Sequence, residues 1–203
     1  MKIIAVGWNY AEHNKELNRI NIPEHPVIFM KPETALVRDN KPFYLPNFSN
    51  RIEYETEIIL RISKMGKNIS AKFADRYYDA IGLGIDFTAR DLQNEFKAKG
   101  APWEICKGFD NSAPISNFLP KEEFDINNLN FSLHINGVEV QKGNTKDMIF
   151  KVNDIIAYIS QFFTLKTGDI IFTGTPVGVG PVKIGDHLEG YIEHNKMIDF
   201  SVC

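Results

Sequence analysis

Apolar and polar residues alternate along much of this chain. From 52 to 62, Ile52, Tyr54, Thr56, Ile58, Leu60 and Ile62 share one face of a period-two pattern, and Glu53, Glu55, Glu57, Ile59 and Arg61 share the other, which predicts a β-strand. Phe131, Leu133 and Ile135 alternate with Ser132 and His134 up to Asn136-Gly137, after which Val138-Glu139-Val140 resumes the pattern. An Asn-Gly pair between two such runs predicts a hairpin. Segments 168–173 and 186–202 predict further strands separated by glycine turns.

Three segments follow a helical period instead. Ser70 is predicted to cap a helix over 71–81 with Phe73, Tyr77 and Ile81 on one face. Thr88 is predicted to cap 89–99, with Leu92 and Phe96 inward and Gly100 as the stop; Asn153 or Asp154 is predicted to cap 155–163, with Ile155, Ile159 and Phe162 inward. Prolines 23, 26, 32, 42 and 46 mark surface connections between strands. The fold class expected is α+β, mainly β, with a few short helices, in one domain over 1–203.

Composition narrows the function classes. The 203 residues are 43% hydrophobic and include Phe 15, Tyr 7 and Trp 2, enough to build a core. Lys+Arg 23 against Asp+Glu 26 gives a net charge of −3 with neither sign in blocks, so a nucleic-acid or membrane-surface partner is not expected. No apolar run reaches the length of a membrane span or a signal-peptide core, which predicts a soluble, cytoplasmic protein. Cys106 and Cys203 make neither a disulfide framework nor a CxxC metal site. Nucleophile-elbow, zinc-helix and phosphate-loop motifs are absent, and the five histidines are scattered.

Three carboxylates stand out. Glu55 and Glu57 are two apart on one predicted strand, so they project from the same face with Cβ atoms roughly 7 Å apart. Asp86 ends the apolar run 81–85 just before a helix start, a usual place for site residues. Three oxygen ligands suit a hard divalent ion such as Mg²⁺ or Mn²⁺ and leave positions for water and substrate. On pattern alone, alternating glutamates are more often a solvated face and an Asp before a helix more often a cap. Glu53, on the same face, is expected to be solvent-exposed either way.

Longer motifs shift that balance. Glu55-Thr56-Glu57, then Asp86-Phe87-Thr88-Ala89-Arg90-Asp91-Leu92-Gln93, then Gly100-Ala101-Pro102-Trp103, Lys107-Gly108-Phe109-Asp110 and Thr173-Gly174-Thr175-Pro176-Val177-Gly178, resemble in order the fumarylacetoacetate hydrolase family, in particular its small acylpyruvase and oxaloacetate decarboxylase branch. Asn9-Tyr10-Ala11-Glu12-His13-Asn14-Lys15-Glu16 and Phe29-Met30-Lys31-Pro32 fit the same pattern. The resemblance implies a β-roll or sandwich-like catalytic domain, normally a homodimer, acting on small 2-keto acids. It implies that Glu55, Glu57 and Asp86 hold Mg²⁺ or Mn²⁺, that His13 and Glu16 form a catalytic dyad with Lys107 beside the metal, and that Arg90, Gln93 and Thr175 line the substrate site. Lys31 lies in a matching motif. Trp8 departs from the Arg, Leu or Lys common at its position, which bears on how a distal substrate group is received.

The activity so implied is hydrolysis of the C–C bond of acylpyruvates through a metal-stabilised pyruvate enolate, with decarboxylation of oxaloacetate through the same intermediate. A histidine with an unperturbed pKa of about 6.5 suits delivery of water to the acyl carbonyl. Two alternatives are isomerisation or decarboxylation of 2-hydroxy-dienoates in aromatic catabolism, and non-catalytic binding of metal or keto acid. Cys106, beside Lys107, reads as packing.

Overall fold

In the computed structural model, which describes residues 1–16 and 22–203, the alternating run at 52–62 forms two strands, Ile52–Tyr54 and Thr56–Ile62, with Glu55 at the break. The first strand belongs to a three-stranded sheet with Thr88–Ala89 and Gly180–Pro181. The second lies inside a six-stranded sheet ordered Val27–Lys31, Ile3–Gly7, Ile170–Phe172, Thr56–Ile62, Tyr78–Ile85, Leu119–Pro120. All pairings in that sheet are antiparallel except Ile3–Gly7 against Ile170–Phe172. A single strand with one wet face would leave its glutamates in water. Passing between two sheets buries both faces, and Glu53, Glu55 and Glu57 are only 2%, 6% and 2% exposed. The expected exposure of Glu53 is therefore corrected.

The hairpin forms as expected, between Asn130–Ile135 and Val138–Asn144, with Asn136 and Gly137 at φ 53° and 79°. It joins His187–Ile192 and Asn195–Ser201 in a four-stranded antiparallel sheet. This sheet packs on the six-stranded one in a core cluster that includes Leu83, Leu133, Leu188 and Ile198. The approach is close at Gly190, where a Cβ would lie 2.5 Å from Leu83 Cδ2.

Helices are shorter than their periods predict. The segment expected as a helix over 71–81 is a 3-10 turn, Ala71–Tyr77, followed by the strand Tyr78–Ile85; Ser70 makes no side-chain cap and Phe73 is 39% exposed. A buried strand carrying Gly82 and Gly84 competes successfully for 78–85, and at Gly84 a Cβ would lie 2.5 Å from the Phe172 ring. The next helix runs Arg90–Lys99 and stops at Gly100 (φ 64°) as expected, but Ala89 occupies the cap position and Thr88 pairs with Glu53 in a strand. Leu92 and Phe96 are partly buried against the core, while Arg90 and Gln93 are buried. The last helix, Val152–Phe162, begins after Lys151 rather than at Asn153 or Asp154; Ile155, Ile156 and Ile159 are buried and Phe162 is exposed. No helix among the described residues is long and apolar enough to cross a membrane.

Candidate active site

The break at Glu55 lies where three sequence-distant pieces meet. Asp86, at the end of Tyr78–Ile85, donates its amide to Glu55 O at 2.8 Å. The segment after Ile170–Phe172 turns back over the same point, and Gly174 donates its amide to Glu57 Oε2 at 2.6 Å. Gly174 is at φ 102°, and a Cβ there would sit 2.6 Å from that of Asn9, so the turn requires glycine. Glu55, Glu57 and Asp86 thereby offer carboxylate oxygens within 4.8 Å of one another, all three residues buried.

Three cations surround this cluster. Lys107 Nζ donates to Glu55 Oε2 and Asp86 Oδ2, each at 2.7 Å, and to Thr88 Oγ1 at 2.6 Å. Lys31 Nζ lies 2.6 Å from Asp86 Oδ1 and donates to Lys107 O and to both oxygens of Ser112. Arg90 donates from Nη2 to Glu55 Oε1 and from Nε to Glu53 Oε2 at 2.6 Å. Burial alone would raise Glu55, but the charges of Lys107, Arg90 and His13 outweigh it and hold its carboxyl well below the usual range. Glu57 has the opposite balance: burial, then Asp86 and Glu55, push it well above the usual range. Burial lowers the Lys31 ammonium, whereas Asp86 and Glu55 overcome burial and raise Lys107.

A divalent ion fits these residues. The donor set is all hard oxygen, and Asp86 Oδ1, although in ionic contact with Lys31, is buried without an aligned hydrogen bond. Glu57 is held against two like charges that a cation would relieve.

His13 faces this cluster across a narrow cleft lined also by Arg90, Gln93, Lys107 and Thr175. It sits on the short helix Ala11–Glu16, 3% exposed, with Nδ1 at 3.0 Å from Glu16 Oε2. Glu16 Oε1 accepts the Gly178 amide at 3.1 Å, which ties the helix to the loop carrying Thr175. Burial would raise the Glu16 carboxyl, but hydrogen bonds from His13 and the Gly178 amide, with the charges of His13 and Arg90, outweigh it and lower the group.

Seven of the nine residues singled out in the sequence line one cleft, and the other two, Glu16 and Asp86, bond to His13 and Lys107 at its wall. The Thr175 hydroxyl donates to Thr56 O at 2.9 Å and accepts from Gln141 Nε2 at 2.9 Å, so it can offer a ligand only an acceptor. Gln93 Oε1 accepts from Arg90 Nη1 at 2.5 Å and Lys97 Nζ at 2.7 Å, leaving its amino group to offer. With Nε and one N–H of each terminal nitrogen engaged, Arg90 retains one N–H on each terminal nitrogen for a carboxylate. Thr88 serves Lys107 rather than a helix cap.

Three residues go beyond the roles read from the sequence. Glu53 bridges Arg51 and Arg90. Lys31, a lone charge ending the run Val27–Lys31, had that contrast as its signal. Gln141, 2% exposed, had none: its Oε1 accepts from Thr56 N at 3.0 Å, and its Nε2 donates to Thr175 Oγ1 and Pro176 O. Cys106 is fully buried, its thiol raised by burial and donating to Trp103 O at 3.2 Å, as befits packing.

Residues 2–201 match the family model described as fumarylacetoacetate (FAA) hydrolase C-terminal. The chain is 43% identical over 189 residues to the oxaloacetate tautomerase YcgM of Escherichia coli, covering 92% of this chain and 86% of that protein. It is 46% identical over 186 residues to a mitochondrial oxaloacetate decarboxylase of Dictyostelium discoideum, covering 91% of this chain and 85% of that protein. A crystal structure of fumarylpyruvate hydrolase from Pseudomonas aeruginosa, in complex with Mn²⁺ and pyruvate, superposes with a TM-score of 0.94 at 33% identity, covering 100% of this chain and 89% of the other.

Proposed function

Because the chain belongs to the fumarylacetoacetate hydrolase family, we propose that it is a divalent-metal-dependent enzyme that carries small 2-oxo acids through their enol forms, with oxaloacetate as its leading substrate. One observation carries this reading. His13, a buried base aligned by Glu16, faces across one small cleft a cluster of three carboxylates and three cations. The names of the E. coli and Dictyostelium relatives support oxaloacetate.

Glu55, Glu57 and Asp86 would hold Mg²⁺ or Mn²⁺, which supplies Lewis-acid stabilisation of negative charge developing on the 2-oxo group. The two free N–H groups of Arg90 and the Gln93 amino group hold the substrate carboxylate. With Nδ1 assigned as the proton donor to Glu16, His13 presents Nε2 as the basic nitrogen. It takes a proton from C3 of oxaloacetate, and the electron pair of that C–H bond becomes the enolate. Lys107 and Lys31 keep the cluster near charge balance as this anion forms. Returning the proton to oxygen gives the enol, which completes tautomerisation. In decarboxylation the keto form reacts instead: the C3–C4 bond breaks, CO₂ leaves, the bonding pair passes into the 2-oxo group as the pyruvate enolate, and C3 then takes a proton from solvent to give pyruvate.

The second reading is hydrolysis of acylpyruvates, favoured by the His13–Glu16 pair and by the likeness to the fumarylpyruvate hydrolase. Here His13 takes a proton from water as the oxygen attacks the acyl carbonyl. The C–C bond then breaks, its electron pair passes to the pyruvate enolate, and His13 returns the proton to that carbon. The resemblance also supports reading 1–203 as one catalytic domain acting as a homodimer, and the cytoplasm remains the proposed location.

The test is turnover of enol and keto oxaloacetate, acetylpyruvate and fumarylpyruvate by metal-free and Mg²⁺- or Mn²⁺-loaded protein. Metal-dependent acceleration of enol–keto exchange is expected. Acceleration of acylpyruvate cleavage alone would replace the first reading by the second, and inertness towards all four would overturn both.

A further inference from the structure

A run of aromatic contacts leads away from the charged cluster along the same cleft. Lys107 Nζ lies 5.1 Å from the Phe29 ring centroid, Phe29 lies 5.9 Å from Trp103, and Trp103 lies 5.5 Å from Trp8 in an edge-on arrangement at 60°. Val6 and Gly7 complete the wall, and a Cβ on Gly7 would meet Trp103 at 3.7 Å and Phe29 at 3.8 Å. The carboxylates lining the cleft, among the described residues, are Glu55 and Glu57, both in the charged cluster. The lysine near the aromatic end is already engaged: Lys97 donates to Gln93 at 2.7 Å and lies 5.7 Å from the Trp103 centroid.

Trp8 is held there at a conformational cost. Its φ of 63° is in the left-handed region that bulky residues rarely adopt. Both neighbouring segments enforce it. Fully buried Asn9 accepts from Phe150 N at 2.7 Å and donates to Phe150 O and Thr173 O, while Asn14 Nδ2 donates to Trp8 O at 3.1 Å. The local backbone is thus built to present an indole to the cleft.

We propose that Trp8, Phe29 and Trp103 form a subsite for a planar, apolar acyl arm, so that the cleft accepts 2-oxo acids whose distal ketone carries an aryl group. Tilted and edge-on rings offer a planar arm a face and an edge at once, which a methyl or a hydrated carboxylate uses poorly. The proposal deepens the second functional reading and rests on the charged end receiving the 2-oxo acid.

Initial-rate kinetics of the Mn²⁺-loaded protein with acetylpyruvate, benzoylpyruvate and fumarylpyruvate test it, with calorimetric Kd values for any ligand not turned over. The expected result is a preference of about tenfold or more for the aryl arm over the methyl arm, carried mainly in KM or Kd. Trp8→Gly removes the indole while suiting φ 63° and should bring that ratio below about twofold; Trp8→Phe should keep most of it. Trp103→Leu gives an independent second loss, with circular dichroism confirming the fold. Equal handling of methyl and aryl arms, preference for the carboxylate arm, or a ratio unmoved by Trp8→Gly overturns the subsite. Pyruvate and oxalate separate the two levels. If both bind, only the subsite has failed; if neither does, the reading of the charged end fails and takes the subsite with it.

Discussion

Gln141 Nε2 donates to Thr175 Oγ1 at 2.9 Å, and with this bond the four-stranded sheet reaches the cleft that the other sheets build. Gln141 Oε1 also accepts the amide of Thr56, the residue between Glu55 and Glu57. One buried side chain therefore sets the spacing between the glutamate pair and the loop over it. Gln141→Leu should cost about 1–3 kcal/mol in chemical denaturation, because buried partners are left unsatisfied. It should lower kcat more than it raises KM, and Gln141→Glu, which keeps the acceptor but loses the donor, should fall between. Unchanged kcat would remove Gln141 from the account of site geometry.

Lys107→Met should destabilise the metal-free protein by about 3–5 kcal/mol, because Glu55 and Asp86 would lose a buried partner that bonds both. Lys107→Arg should not restore activity, since a planar fork cannot meet Glu55, Asp86 and Thr88 from one point. Urea denaturation and initial rates check the two halves separately.

Glu57→Gln should have opposite effects with and without metal. The buried Glu57 carboxyl faces Asp86 and Glu55 and has the Gly174 amide as a hydrogen-bond donor. Replacing it should therefore raise metal-free stability by about 1 kcal/mol. The same change should weaken Mn²⁺ binding, measured calorimetrically, by tenfold or more. Chelator-treated wild-type protein should be inactive and recover with Mg²⁺ or Mn²⁺; full activity without metal would sink the ligand assignment.

His13→Ala separates two reactions. Decarboxylation of oxaloacetate needs an electron sink but no attacking water, so Lys107, Arg90 and the carboxylates continue to serve it. Hydrolysis of an acylpyruvate should fall by about 10²–10⁴, the usual contribution of general acid–base catalysis, while decarboxylation falls less. Equal losses in one preparation at one metal concentration would assign His13 to positioning rather than water activation.

Acid should undock the Ala11–Glu16 helix. Although burial opposes it, the hydrogen bonds from His13 and Gly178 hold Glu16 below its ordinary 4.5. A carboxyl lowered in the folded state contributes stability that is complete above the unfolded value and lost as pH falls through the folded one. Between about pH 5 and pH 3, wild-type stability should therefore decline more than that of Glu16→Gln. Parallel curves would mean that these bonds contribute nothing to docking.

The grouping of residues around the candidate cleft is legible in the sequence, and their electrostatics much less so. Glu55, Glu57 and Asp86 were visible because a strand period and an apolar run placed them, and family-like motifs placed His13, Glu16, Arg90 and Lys107. Glu53 reads as exposed in the sequence yet is buried, because alternation cannot reveal that a strand crosses from one sheet to another and buries both faces. The helical spacing of Phe73, Tyr77 and Ile81 misled for a related reason: pairing of Tyr78–Ile85 on both edges outweighed local periodicity. Gln141 was invisible because its meaning comes from residues 34 and 85 positions away.

The aromatic wall has an optical consequence. Trp8 and Trp103 are the chain's two tryptophans, and both line the cleft. Indole fluorescence from this protein therefore originates at the wall of the cleft, with the Lys97 ammonium near one emitter. Occupancy of the cleft should shift or quench nearly the whole emission. The native chain thus carries its own binding reporter, and a ligand titration read by fluorescence needs no attached dye.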